Sequence, residues 1–251
     1  MIKVGIIGSG NWALALTKIL TNEEIIIKAR KLDGLKKKFS HQNKKILLTT
    51  NFTDLDSCKF LFLANPSQTV RENLKKIPKK LNSKFIICCK GIEKGTNKLM
   101  HQVLQDLFPK NGYAILSGPN FAAEVIKGLP TASVLSSKSN KTLNEVSSII
   151  SCKRFRTYFN NDIVGTQIGG AMKNVIAIAS GVIIGSNLGQ NAGAAIITRG
   201  LSEIIDLGVK MGAKKPTFYG LSGIGDLTLT CSSLKSRNTK LGYLLAKGKS
   251  K

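Results

Sequence analysis

The N-terminal segment predicts a strand, a tight turn, a helix and a second strand in that order. Residues Ile2–Ile7 are mostly apolar, and the glycine-rich turn Gly8–Gly10 follows them directly. Trp12–Leu20 then carries apolar residues at helical spacing, and Ile25–Ile27 is a second short apolar run. This order is that of a βαβ unit, which requires a parallel sheet and therefore restricts the chain to an α/β fold.

The turn has the pattern GxGxxA, with Gly8, Gly10 and Ala13 at the fixed positions. The first glycine permits the tight turn, the second lets a pyrophosphate approach the backbone, and the alanine lets the helix pack closely on the strand. The N–H groups at the start of the helix favour the same anion. We therefore predict a dinucleotide site at Gly8 and Gly10, the alternative being a glycine-rich turn that only packs.

The residues after the second strand bear on which dinucleotide binds. A carboxylate at this position accepts hydrogen bonds from the ribose hydroxyls of NAD. Here the strand is followed by Arg30 and Lys31, whose cationic groups suit a 2′-phosphate. The sequence thus favours NADP, with NAD as the alternative cofactor and two solvated loop cations as the alternative interpretation.

Short apolar runs alternate with polar, helix-compatible segments up to about residue 160. The helix-compatible segments include Val70–Lys76, Lys98–Leu107 and Lys141–Ile150. Such alternation predicts a parallel sheet with helices on both faces. The strand-like runs are Ile46–Thr49, Phe60–Ala64, Phe85–Cys88, Ala114–Leu116, Thr131–Leu135 and Phe155–Phe159.

The character of the sequence changes after Asp162. The remaining residues are rich in Ala and Ile, are punctuated by glycine and contain few strand signals, which indicates packed helices. We predict an α/β protein of two domains. Residues 1–161 form a Rossmann-type, doubly wound dinucleotide-binding domain, and residues 162–251 form an all-helical domain.

One lysine is isolated within an otherwise uncharged segment. Between Asp162 and Arg199 the only charged side chain is Lys173, although 21% of the chain is charged. A lysine buried there must find a partner or lose its proton, which makes it a candidate acid or base; the alternative is a lysine that extends its ammonium to solvent. Asp226 is similarly isolated between Lys215 and Lys235. It is a candidate partner for Lys173, or else a turn or helix-cap carboxylate.

The overall charge and the cysteines exclude several kinds of site. The formal net charge is +24, but the lysines are spread over most of the chain, so a solvated basic surface is favoured over a nucleic-acid patch. The five cysteines form no CxxC pair, and only His41 and His101 could assist them, so we expect no metal and no structural disulfide.

Targeting signals are not evident in the sequence. A glycine-rich turn stands where a signal peptide would need a longer apolar run. The longest apolar stretch, Val175–Leu188, is short for a membrane span and contains Ser180 and Ser186, so we expect a buried core helix. We therefore expect a cytoplasmic protein without a membrane partner.

Further candidate site segments follow predicted strands. Asn65–Ser67, Cys89–Gly91 and Ser117–Ala122 each come after an apolar run, where ligands bind in open α/β sheets. Lys90, between a strand and Gly91, is a stronger candidate than the surface lysines. Late in the chain, Ser236–Asn238 offers guanidinium and amide donors suited to a phosphate.

Taken together, these segments resemble the bacterial-type NAD(P)-dependent glycerol-3-phosphate dehydrogenases. The matching blocks occur in the family's order and cover nearly the whole chain. They are GSGNWALAL, CCKGIEKGT, LSGPNFAAEV, GLPTA, GGAMKNVIAIASG, NAGAAIITRGL and FYGLSGIGDLTLTCSSLKSRN. The resemblance implies reversible hydride transfer between NAD(P)H and dihydroxyacetone phosphate, which yields glycerol 3-phosphate for phospholipid synthesis.

The resemblance also implies roles for individual residues. Lys173 would donate a proton to the carbonyl oxygen, and Lys90 would polarise that oxygen. Asp226, Asn174 and Thr230 would orient the lysines and the substrate hydroxyl. The implied cofactor contacts are Asn11, Trp12, Arg30, Lys90, Ala122 and Arg237, and the implied substrate contacts are Lys90, Gly118, Asn120, Lys173, Asp226, Ser236, Arg237 and Asn238. The implied partner is a small-molecule substrate, and a homodimer is compatible with the resemblance.

The sequence departs from the family pattern in two places. Gln190 and Gly193 stand where the family often has an acidic residue and an arginine. Family members usually continue through further helices, and a glutamate there contacts the cofactor, so we expect the helical domain to be shortened. The alternatives are an NADP-binding protein without turnover, a dehydrogenase for another small hydroxy acid, and a polyanion-binding protein.

Overall fold

The computed structural model describes residues 2–20, 24–40 and 45–249 and forms two compact units. The first unit comprises Met1–Leu116 and Asn120–Asn161, and the second comprises Ser117–Pro119 and Asp162–Lys251. His41, one of the two histidines considered above as metal ligands, lies outside the described residues.

The first unit is built on an eight-stranded sheet with the order β3-β2-β1-β4-β5-β6-β7-β8. The strand order reverses beside β1, and in open α/β sheets ligands bind at the carboxyl ends of strands at such a reversal. The predicted Rossmann-type fold is confirmed. The strands are β1 (Lys3–Ile7), β2 (Glu24–Lys28), β3 (Ile46–Thr49), β4 (Phe60–Leu63), β5 (Lys84–Ile87), β6 (Tyr113–Ser117), β7 (Thr131–Ser136) and β8 (Phe155–Asn160).

The sheet is mostly, rather than wholly, parallel. The six strands β3, β2, β1, β4, β5 and β6, in this spatial order, all run parallel to one another. Strand β7 runs parallel to β8. The Ser137 hydroxyl, one residue beyond β7, donates to the carbonyl of Tyr113 at the start of β6. Strands β6 and β7 therefore run in opposite directions, an exception that the apolar runs alone do not reveal.

Helices connect these strands and cover the sheet. The central strand β1 is buried from Val4 to Ile7, which explains its run of β-branched residues. Ser139 caps the helix Asn140–Ile150, because its hydroxyl oxygen accepts a hydrogen bond from the N–H of Thr142 at 3.2 Å. The helices are α1 (Asn11–Ile19), α2 (Leu35–Phe39), α3 (Val70–Lys75), α4 (Met100–Leu107), α5 (Ala122–Ile126) and α6 (Asn140–Ile150).

The second unit is helical in its described part, as predicted. Two long helices, α7 (Ile163–Gly185) and α8 (Gly189–Lys210), are followed by a 3-10 turn at Lys215–Tyr219 and a π-helical turn at Leu221–Gly225. Two short helices, α9 (Asp226–Cys231) and α10 (Arg237–Ala246), complete it. The departures Gln190 and Gly193 lie in α8.

Helix α7 is longer than its apolar stretch suggested. It begins at Ile163 rather than near Val175 and, by length and composition alone, is long and apolar enough to cross a membrane. The stretch Val175–Leu188 is therefore shorter than the helix that contains most of it. However, 44% of its most apolar window is buried within the protein, and a paired lysine lies in its middle, both of which are common in core helices.

Small residues allow α10 to pack closely on α7. A Cβ atom added at Gly242 would lie 1.9 Å from the carbonyl oxygen of Ile178, and one added at Gly181 would lie 2.0 Å from that of Thr239. Larger side chains at these glycines would therefore separate the helices. This contact sets the position of the N-terminus of α10, where Ser236–Asn238 lie.

Candidate active site

Lys173 is buried and makes two hydrogen bonds within the second unit. Its Nζ lies 2.6 Å from Oδ1 of Asp226 and 2.7 Å from Oγ1 of Thr230. The side chains of Lys173 and Asp226 are only 9% and 2% exposed. The lysine does not extend to solvent; it forms a buried ion pair, the arrangement in which a charged group can remain in a protein interior.

Nζ of Lys173 is the donor in both of these hydrogen bonds. The Thr230 hydroxyl donates to the main-chain carbonyl of Asp226 at 2.6 Å, so its oxygen accepts from Lys173. An ionised carboxylate can also only accept. Nζ thus faces two acceptors, and the negative charge of the carboxylate stabilises an ammonium beside it. Nearby, burial raises the pKa of the Cys231 thiol to about 11, so this side chain adds no charge at neutral pH.

Asp162 connects the start of α7 to the segment that leads to Asp226. One of its carboxylate oxygens accepts from the N–H of Gly165 at 2.8 Å, and the other accepts from the N–H of Lys214 and the hydroxyl of Thr217, at 2.8 and 2.7 Å. The sequence alone assigns this residue no role in the site. An aspartate directly before a helical run is a capping signal, but the contacts with Lys214 and Thr217 depend on the tertiary fold.

A glycine contact supports the same arrangement further along α7. A Cβ atom at Gly169 would lie only 2.3 Å from the carbonyl oxygen of Ser222, which belongs to the π-helical turn. The turn therefore packs directly on the α7 backbone and ends where Asp226 begins α9. Such turns are frequent at functional sites, and this one delivers the carboxylate to the lysine.

The other predicted residues of the second unit lie near these elements. Asn174 follows Lys173 on α7 and is half-buried. Ser236 caps α10, and its buried hydroxyl oxygen accepts from the N–H of Thr239 at 3.3 Å. Arg237 is exposed on the first turn of the same helix, beside the half-buried Asn238. These residues form a cationic, donor-rich helix N-terminus, which favours an anion.

The glycine turn of the first unit has the geometry that its pattern predicts. Gly8 has φ of +119°, and a Cβ atom there would lie 2.7 Å from the carbonyl oxygen of Ala64. A Cβ atom at Gly10 would meet no atom within 4 Å, so the backbone is open to an approaching group. Asn11 and Trp12 begin α1, and Ala13 is fully buried against the sheet. The turn therefore fits a dinucleotide.

Arg30 lies at the same edge of the sheet as this turn. The N–H of Gly8 donates to the carbonyl of Lys28 at 2.9 Å, which aligns the ends of β1 and β2. Arg30 follows two residues later and is exposed. Its position is the one from which the Rossmann fold distinguishes the 2′-substituent of the cofactor.

Lys90 follows β5 in a loop that ion pairs hold in place. Arg71 on α3 binds both carboxylate oxygens of Glu93 at 2.8 Å and also contacts Asp106 at 2.8 Å. The hydrogen bond from Arg71 holds the pKa of Glu93 below its usual value, and the carboxylates raise the pKa of Arg71. Arg71 and Glu93 lie 22 residues apart, and no local sequence pattern marks them as a pair.

The segment after β6 is also constrained. Gly118 has φ of +146°, a conformation that favours glycine. Asn120 donates to the hydroxyl of Ser133 at 3.0 Å, and Ala122 is the first residue of α5. The structure thus joins Lys173, Asp226 and Thr230 directly, whereas Lys90 and Asn120 belong to the other unit. Among residues 2–20, 24–40 and 45–249, no cluster of His, Cys, Asp and Glu could hold a metal ion.

Comparisons with known proteins cover both units. The family described as the N-terminus of NAD-dependent glycerol-3-phosphate dehydrogenase matches residues 3–143, and the corresponding C-terminus family matches residues 162–251. Glycerol-3-phosphate dehydrogenase (NAD(P)+) of Clostridium perfringens is 40% identical, over 99% of this chain and 80% of the relative. The Parvibaculum lavamentivorans protein of the same name is 36% identical, over 98% of this chain and 79% of the relative.

A solved structure is also similar along almost the whole chain. The crystal structure of glycerol-3-phosphate dehydrogenase from Coxiella burnetii superposes with a TM-score of 0.92 at 30% sequence identity. The match covers 99% of this chain and 81% of the solved chain. The resemblance predicted from the motifs is therefore confirmed at the level of family and fold.

Proposed function

The chain belongs to the NAD-dependent glycerol-3-phosphate dehydrogenase family, and we propose that Lys173 is the proton donor of its reaction. The reaction is the reversible NAD(P)H-dependent reduction of dihydroxyacetone phosphate to sn-glycerol 3-phosphate, which supplies phospholipid synthesis. The observation that carries the proposal is the buried ammonium held by Asp226 and Thr230.

The chemistry requires a proton at one atom of the substrate. A bound NAD(P)H would supply a hydride to the carbonyl carbon, and the electron pair of the C=O π bond would then move to the oxygen, which would become negatively charged. The ammonium of Lys173 gives its proton to that oxygen, and the neutral amine takes it back in the reverse direction. Positioned general-acid help of this kind increases a rate by about 10²–10⁴. We assign Lys90 the role of a second positive charge that stabilises the developing alkoxide.

Asp226, Thr230 and Asn174 orient the reacting groups. Asp226 and Thr230 hold the lysine by accepting hydrogen bonds, so the ammonium keeps one position during substrate binding. The carboxylate also offsets the cost of burying the charge. Asn174, next on α7, has donor and acceptor groups suited to a substrate hydroxyl.

The residues of the first unit fit a dinucleotide. The positive φ of Gly8 and the open backbone at Gly10 leave room for a pyrophosphate, and the start of α1 supplies N–H donors. Arg30 favours the 2′-phosphate, so we assign a preference for NADP over NAD. The full set of proposed cofactor contacts is Gly8, Gly10, Asn11, Trp12, Arg30, Lys90, Ala122 and Arg237.

The substrate phosphate is assigned to the N-terminus of α10. Arg237 and Asn238 supply side-chain donors there, and the helix end favours an anion. The buried Ser236 caps the helix, because its hydroxyl oxygen accepts from the N–H of Thr239. We therefore assign it two roles, which are to shape the helix end and to contact the phosphate. Gly118 and Asn120 complete the proposed set of substrate contacts.

NADPH oxidation, followed at 340 nm with dihydroxyacetone phosphate, tests this function. We expect turnover by the protein, and little turnover with unphosphorylated dihydroxyacetone. We expect a loss of at least about 10²-fold in kcat for Lys173→Ala. Lys210→Met, at an exposed position on α8, is the matched control and should be fully active. Cofactor binding without turnover would instead support an NADP-binding protein.

The remaining partner assignments belong to the same proposal. We propose a cytoplasmic enzyme, with a homodimer as its assembly and with no nucleic-acid or membrane partner. The evenly spread charge of +24 supports a solvated basic surface that attracts small anionic substrates. Strongly salt-dependent retention on DNA near physiological ionic strength would contradict this assignment.

A further inference from the structure

We propose that Lys38 is a specificity-determining residue, whose ammonium binds the 2′-phosphate of NADP beside the glycine turn. Family membership does not assign a function to this lysine, and its sequence context is a run of three lysines on a short helix. The inference rests on the proposed cofactor site. It adds a residue that the strand, turn and helix pattern does not predict.

The position of Lys38 carries the argument. Its Nζ donates to the main-chain carbonyl of Ser9 at 2.8 Å, across 29 residues of sequence. Ser9 is the middle residue of the Gly8–Gly10 turn, so the ammonium lies directly against the backbone that would receive the dinucleotide. The helix is anchored by Phe39, which is 4% exposed, and this anchoring fixes the side of α2 that faces the turn.

The ammonium also lies on the side of the site where the 2′-substituent is read. The carbonyl of Lys28, at the end of β2, accepts from the N–H of Gly8, so the residues after β2 lie next to the turn. Arg30 is one of these residues. Lys38 therefore supplies a second cation to the part of the fold that distinguishes a 2′-hydroxyl from a 2′-phosphate.

The surroundings of Lys38 suit an anionic ligand. The side chain is half-buried, and burial lowers its pKa from the usual lysine value. Within the described residues, no carboxylate lies within ion-pairing distance of its Nζ, although acidic partners exist for several other lysines. A partly desolvated ammonium with a neutral carbonyl as acceptor gains a stronger, charge-assisted hydrogen bond when a phosphate binds.

Two neighbours provide a natural contrast. Lys36 and Lys37 lie on the same helix but are exposed. If the charge of α2 acted only through the general field, all three lysines would contribute similarly. If Lys38 acts by contact, removing it alone should discriminate between ligands with and without the 2′-phosphate.

A competing explanation is that Lys38 only supports the turn through Ser9. That role would affect every ligand that uses the turn, including adenosine ligands with a free 2′-hydroxyl. The two explanations are therefore separated by a comparison of 2′,5′-ADP with 5′-AMP. These two probes differ in the 2′-phosphate alone and need no catalytic turnover.

The experiment measures dissociation constants of both probes by calorimetry for the full chain, Lys38→Met, Lys38→Arg and the control Lys37→Met, all at one ionic strength. We expect Lys38→Met to weaken 2′,5′-ADP by about tenfold to a hundredfold and to change 5′-AMP by less than about twofold. Lys38→Arg should retain most of the affinity, and Lys37→Met should match the unmodified protein.

Equal weakening of both probes by Lys38→Met would overturn the proposal in favour of a supporting role, and unchanged binding of 2′,5′-ADP would overturn it outright. Far-UV circular dichroism of each variant checks the fold. Failure of the unmodified protein to bind either probe or NADPH would refute the proposed cofactor site itself. That result is distinct from a failure confined to Lys38.

Discussion

Replacing Lys173 by Met separates the structural role of the buried ion pair from its chemical role. Methionine has a similar length but no charge, so Asp226, whose side chain is only 2% exposed, would be left without its ammonium partner. Removing one member of a buried pair costs about 3–5 kcal/mol, because the remaining charge is buried and uncompensated. This is a large share of a typical domain stability of about 5–15 kcal/mol.

The double variant Lys173→Met, Asp226→Leu removes both charges. Replacing a buried ion pair by apolar groups is often neutral or stabilising, so most of the lost stability should return. A small deficit of about 0.3–1 kcal/mol should remain, because Asp226 also stands in the first turn of α9, where a negative charge is favourable. Activity should not return, since neither variant carries a proton donor.

Two assays on the same preparations test this reasoning. Urea unfolding followed by circular dichroism gives the free energy of unfolding, and NADPH oxidation at saturating dihydroxyacetone phosphate gives kcat. We expect kcat to fall by at least about 10²-fold in both variants. A double variant no more stable than the single variant would refute the account of the pair, and kcat within tenfold of the unmodified protein would refute the proton-donor role.

Glu93→Gln should reduce the gain in the free energy of unfolding between acid and neutral pH, because Arg71 lowers the pKa of Glu93 in the folded protein. The stability from this carboxylate is fully present above its unfolded-state pKa of about 4.3 and is lost as the pH falls through its folded-state pKa. The melting temperatures of variant and parent should therefore converge in acid. Gly169→Ala should lower the free energy of unfolding measured in urea, since its Cβ would lie 2.3 Å from a backbone carbonyl oxygen. In Gly193→Ala the added Cβ meets no atom within 4 Å, so this variant should be more stable by about 0.5–1 kcal/mol because alanine favours the helix α8. Arg30→Asp should shift the ratio of kcat/KM from NADPH toward NADH, and an unchanged ratio would remove Arg30 from the specificity site.

Local sequence signals were sufficient for most of the first unit. Buried parallel strands need continuous apolar runs, so the predicted run Phe60–Ala64 matches the fully buried β4 to within one residue. The glycine turn could also be predicted from the sequence. The turn needs a positive φ at position 8 and a small buried side chain at position 13, and few residues other than Gly8 and Ala13 meet these requirements. The reversal between β6 and β7 was not, since the direction of a strand depends on its connection rather than on its composition.

The contact between Lys173 and Asp226 followed from the rarity of buried charges. Each stood alone in an uncharged segment, and two buried charges of opposite sign are far less costly when paired. The sequence did not locate the start of α7 to the residue, because its first turns contain Gly165 and Gly169 and look less apolar than Val175–Leu188. Those glycines are explained only by the close approach of Asp162 and Ser222.

Other site features had no distinguishing local signal. Lys38 looks the same in sequence as Lys36 and Lys37, and only the packing of Phe39 directs it toward Ser9. Asp162 gives a capping signal, but its bonds to Lys214 and Thr217 span more than fifty residues of chain. Contacts of this kind depend on where whole helices lie, which residue types and spacing do not determine.

Chemical rescue of Lys173→Ala tests the proton transfer most directly. The truncated side chain leaves space beside Asp226, which can hold a small ammonium ion in place of the lysine. Methylammonium should restore turnover of dihydroxyacetone phosphate in proportion to its concentration, because it carries both charge and a transferable proton. Tetramethylammonium, which has the charge alone, should restore none. Equal rescue by the two ions, or full activity of Lys173→Ala without either, would contradict the assignment of Lys173 as the proton donor.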